Sequence, residues 1–138
     1  MYPFPNAVNT HFSFLRNYGF SVIEKEEVNT GAFGNGYFVF TSNAAGLEIV
    51  LDRGQVVMKI GKSVQNRQDW LEWAVVIATY APEVKAYDFE LDIDAQVRRI
   101  SELLQLHCAK LLEGDFNDDR LLRIIEDKIG KDFRKRFS

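Results

Sequence analysis

Leu47-Glu48-Ile49-Val50-Leu51-Asp52-Arg53-Gly54-Gln55-Val56-Val57-Met58-Lys59-Ile60 decides the fold. Two apolar runs flank Arg53-Gly54, a turn dipeptide, so the stretch reads as a β-hairpin. Its register follows from the side chains. With Asp52 opposite Gln55, Leu51 faces Val56, Ile49 faces Met58 and Leu47 faces Ile60. All six apolar residues then share one face, and Glu48 meets Lys59 on the other as an opposite-charge pair. A slip of one residue would turn the apolar set toward water. The apolar face needs a cover, and helices supply it.

Working outward, Tyr37 to Ser42 is apolar on both faces, which suits a central, covered strand. Phe20 to Val28 begins apolar and ends in Glu24, Lys25, Glu26 and Glu27, the charge pattern of an edge strand protected from pairing with other chains. Thr30 to Gly36 is a glycine-rich connection with Phe33 at its tip. Helices are expected from Ala7 to Tyr18 (capped by Asn6), Arg67 to Ala81 (capped by Asn66), Ala95 to Leu112 (capped by Asp94) and Asp118 to Arg136 (capped by Asn117). Between the second and third, Tyr87, Phe89, Leu91 and Ile93 alternate with Asp88, Glu90, Asp92 and Asp94. That is the strand period, or an extended lead-in to the helix. The expected fold class is α+β: an antiparallel sheet of four to five strands with four helices packed mainly on one face. No linker or repeat divides the chain, so residues 1–138 read as a single domain.

Composition narrows the function. Apolar residues make up 46% and charged residues 27%, ordinary values for a folded domain. No apolar run approaches the ~20 residues of a membrane span. A net charge of −3 argues against a general nucleic-acid binder. The one cysteine, Cys108, has no internal disulfide partner, and the first residues lack the basic and apolar regions of a secretory signal. Both points favour a reducing, cytoplasmic setting.

Motifs for chemistry fail on their spacing. Ile60-Gly61-Lys62-Ser63 resembles the end of a phosphate-binding loop, but the required upstream glycine is Val56, inside a strand. Gly31 to Gly36 does not match a dinucleotide loop, and a strand follows it. Asp115, Asn117, Asp119 and Glu126 occupy calcium-loop positions, yet Arg120 stands where a glycine must turn the chain. Capping of a helix explains the same letters. His107 and Cys108 are neighbours pointing about 100° apart on a helix, which does not suit one zinc ion. His11 reads as a histidine at the core edge, and Cys108 as an inert small hydrophobe. No catalytic residue, metal or cofactor is expected.

The acidic stripe remains. Its plain reading is a solvated face; its functional reading is a surface that steers a basic partner. Residues 1–94 carry 7 Lys/Arg against 12 Asp/Glu, net −5, and residues 95–138 carry 10 against 8, net +2. The basic end of the last expected helix could neutralise the stripe within the fold or dock a like subunit, so a homodimer stays open.

Phe12-Ser13-Phe14-Leu15, Tyr18-Gly19-Phe20 and Leu111-Leu112-Glu113-Gly114-Asp115-Phe116 give the chain an order and texture that resembles small bacterial proteins of the immunity type from polymorphic toxin systems. The resemblance implies a cytoplasmic protein that blocks a toxin, often a basic nuclease, by binding it. No site residue carries over. The leading expectation is a non-catalytic protein-binding module acting by occlusion, with Asp88, Glu90, Asp92 and Phe33 on its surface. The alternative is a small-ligand-binding protein or enzyme with an aromatic pocket between helix and sheet, lined by Trp70, Trp73 and Tyr80.

Overall fold

The computed structural model describes residues 3–28, 35–118 and 127–128. Helix α1 (Pro3–His11) leads into a 3₁₀ turn (Ser13–Tyr18). Strands β1 (Ser21–Val28), β2 (Asn35–Thr41), β3 (Ala45–Asp52) and β4 (Gln55–Lys62) follow. A second 3₁₀ turn (Arg67–Asp69), a short β5 (Leu71–Glu72), then α2 (Trp73–Tyr80), α3 (Ile93–His107) and α4 (Ala109–Leu112) follow. The strands form one antiparallel sheet in the order β1-β2-β3-β4-β5. The α+β class is as expected.

The hairpin forms in the expected register: Asp52 pairs with Gln55, Leu51 with Val56, Ile49 with Met58, Leu47 with Ile60, and Glu48 with Lys59. Arg53 (φ 52°) and Gly54 (φ 82°) both take left-handed backbone, as a two-residue hairpin turn requires. Leu47, Ile49, Val56 and Ile60 are wholly buried against the helices, together with Trp73, Val97 and Leu104. Phe4, Phe38, Phe40 and Phe12 form a chain of ring contacts at 5.7–6.5 Å that ties α1 to β2.

Three of the expected helices need correction. The first helix begins earlier, at Pro3, so Asn6 lies inside it rather than at its cap. Pro3 and Pro5 sit in the first turn, where the missing N–H groups would have no partner anyway. That helix also ends at His11 and continues only as the 3₁₀ turn. The second starts at Trp73, not Arg67, with the Glu72 side chain accepting from the Ala74 N–H at 2.5 Å. The third starts at Ile93 with Asp92, not Asp94, as its cap, and Cys108 breaks it into α3 and α4. Of the fourth, only residues 118 and 127–128 are described, the last two as helix; the rest, and with it most of the calcium loop, lies outside the described residues.

Trp70 shows why the second helix starts late. Its backbone is extended (φ −66°, ψ 148°), and its ring lies on the sheet face away from the helices. Gly46 and Gly61 pair across β3 and β4, and a Cβ on either would stand 2.2 or 2.4 Å from that ring. Two missing side chains make the flat seat the indole fills, and its N–H donates to the Lys62 carbonyl at 3.0 Å. Beside it Arg67 reaches over the buried Val39 to the carboxylates of Glu24 and Glu48, on β1 and β3. The segment between β4 and β5 is thus strapped over the outer face.

Candidate functional site

The residues from Tyr87 to Asp94 form no strand. The neighbouring edge of β4 is already satisfied, by side chains. β5 covers only Lys59 and Ile60. Beyond that, the buried amide of Gln96 accepts from the Val56 N–H at 2.9 Å and donates to the Gly54 carbonyl at 2.9 Å. The Tyr87 hydroxyl accepts from the Met58 N–H at 3.1 Å and donates to the Glu72 carboxylate. One glutamine and one tyrosine stand in for a sixth strand, leaving Tyr87–Leu91 free to turn outward.

That turn is built from its own acids. Asp88 accepts from the Glu90 N–H at 3.2 Å, closing a small turn. Asp92 accepts from the Ala95 N–H at 2.8 Å and caps α3. Asp94 bonds His11 Nε2 at 3.0 Å, tying α3 to α1, which agrees with a structural histidine at the core edge. The Gln96 amide also donates to the Leu91 carbonyl at 2.9 Å. Asp88, Asp92 and Asp94 therefore do local work. The Glu90 side chain is exposed and meets no hydrogen-bonding or charged partner among the described residues.

The expectation of a stripe on one strand face is corrected to a short acidic loop with both ends anchored. Between the anchors the loop presents apolar surface. Phe89 stacks on Tyr87 at 5.1 Å and stays 40% exposed, and Leu91 is 37% exposed. Leu91, Ile93 and Pro3 line a shallow groove of about 470 Å³ next to Asp92 and Asp94. Asp88, Glu90 and Asp92, singled out from the sequence, lie in this one loop; Phe89 was not singled out, because it entered only as one residue of an alternating pattern. Phe33 lies outside the described residues.

The residues of the alternative reading do not converge. Trp73 is buried in the core, with its N–H on the Ala86 carbonyl at 3.2 Å. Trp70 lies on the opposite sheet face. Tyr80 is half-buried; its hydroxyl bonds Asp118 at 3.2 Å, and the Lys110 ammonium sits 4.8 Å from the ring centre. Desolvation pushes the Tyr80 hydroxyl up to about 12.

Burial likewise pushes the Cys108 thiol up to about 12, which keeps it protonated and unreactive at neutral pH. The Glu72 carboxyl is shifted toward its neutral form: desolvation raises it, against the bonds from Tyr87 and Ala74. Its bonds serve the α2 cap and the Tyr87 anchor. Among the described residues no helix is long and apolar enough to cross a membrane.

Fold and site together define a small α+β protein with an anchored acidic loop carrying an exposed aromatic ring. No family model, curated protein or solved structure matches the chain.

Proposed function

We propose that this chain is a non-catalytic binding module that docks a basic protein domain through residues 88–92. The observation that carries the reading is Phe89: an aromatic ring left 40% exposed, held by stacking on the anchored Tyr87, with Asp88, Glu90 and Asp92 around it. Exposed aromatics at the centre of charged surfaces are typical binding anchors. Like charges around the ring speed encounter with a basic surface and discourage acidic competitors. The loop is fixed at both ends, so docking orders little new backbone. The immunity-type resemblance supplies the kind of partner: a basic toxin domain whose active site the bound module covers, in the cytoplasm.

Isosteric amides test this without disturbing the fold. Asp88→Asn keeps the turn acceptor, Asp92→Asn keeps the helix cap, and Glu90→Gln touches nothing. With a basic domain captured by pull-down on this chain as partner, the triple variant should associate at least tenfold more slowly at low salt. The two proteins should converge as salt screens the field. Equal association rates at low salt contradict the reading.

A further inference from the structure

The break of the first helix at Phe12 opens a cavity of about 260 Å³ between the 3₁₀ turn and the start of β1. Its floor is apolar and buried: Phe12, Leu15 and Phe40 are each at most 8% exposed. Its rim is polar and carries Asn9, Ser13 and Arg16. Arg16 is exposed, and among the described residues its guanidinium has no hydrogen-bond or ion-pair partner. Among the described residues no carboxylate lines this cavity. A half-open pocket with an apolar floor and a polar rim, larger than the ~150 Å³ that holds a benzene ring and with the Arg16 guanidinium at its mouth, suits a ligand that is itself part apolar and part anionic. We infer that the cavity is a binding site for a small amphipathic carboxylate, its tail on Phe12 and Phe40 and its head on Arg16.

The site is independent of the acidic loop: it lies at the β1 edge, shares no residue with 88–92, and would attract the opposite charge. A ligand of about ten heavy atoms in a site of this kind binds with a dissociation constant on the order of 1 mM. The test is an NMR titration of the full chain with octanoate and, separately, octan-1-ol. Octanoate should give saturable shifts centred on Phe12, Leu15 and Phe40. Arg16→Gln, a change at an exposed position, should weaken octanoate at least tenfold and leave octan-1-ol unchanged. Absence of saturation at 10 mM octanoate, shifts centred elsewhere, or equal octanoate affinity in Arg16→Gln each overturns the assignment.

Discussion

Replacing Gln96 by methionine removes an amide while nearly conserving volume. Three backbone groups lose their partner: the Val56 N–H and the carbonyls of Gly54 and Leu91, all at 2.9 Å. They are not equivalent. Val56 is wholly buried, so its N–H bears the whole desolvation penalty, about 1–3 kcal/mol. Gly54 is half-buried and Leu91 exposed, so water reaches both carbonyls, and each costs about 0.5–1 kcal/mol. The sum is about 3 kcal/mol, a large share of the 5–15 kcal/mol that holds a domain of this size. In calorimetry the melting temperature should fall by roughly 10 °C. Gln96→Glu supplies a second arm. A carboxylate can accept from Val56 but faces two carbonyls with no proton to give, so it should be destabilised at neutral pH. The folded state then favours the protonated form, and stability should recover as pH falls. If Gln96→Met costs less than 1 kcal/mol in urea unfolding, the amide does not seal the edge of β4, and the account of the loop's anchoring fails.

Other consequences are quicker to check. Gly61→Ala places a methyl 2.4 Å from the Trp70 ring, which must lift from its seat; a loss of about 2 kcal/mol or more and a red-shifted tryptophan emission are expected. Glu72 has a raised folded pKa, so the folded state binds more protons than the unfolded chain, and this group's contribution to stability decreases as pH rises above the unfolded carboxyl value. Glu72→Gln should flatten that part of the pH–stability curve, read by chemical unfolding between pH 4.5 and 7. The Cys108 thiol should resist a thiol reagent in the native protein and react fully in denaturant; rapid native labelling would contradict its burial.

The hairpin was legible because two independent signals agree: the alternation of Leu47–Ile60 and the turn preference of Arg53-Gly54. The seat of Trp70 was legible in principle, since the same register pairs Gly46 with Gly61. Helical spacing of Trp70, Ala74 and Ile77 hid it, because an indole on a bare patch of sheet leaves no periodic trace. The alternation from Tyr87 to Asp94 misled for a related reason. A strand needs an open edge, and Gln96 and Tyr87 had closed that edge from positions with no sequence signature of pairing. The acids of the loop were visible as a cluster, but their separate tasks in turn, cap and side-chain hydrogen bond depend on the fold. The cavity beside Arg16 left no mark, because it arises where a helix expected to reach Tyr18 stops at His11.

Amide hydrogen exchange of the chain, free and bound to a basic domain captured with it by pull-down, tests the proposed binding surface most directly. Slowed exchange concentrated at residues 88–96 is the predicted outcome. A complex that leaves those amides unchanged and protects the outer sheet face around Arg67 instead would contradict it.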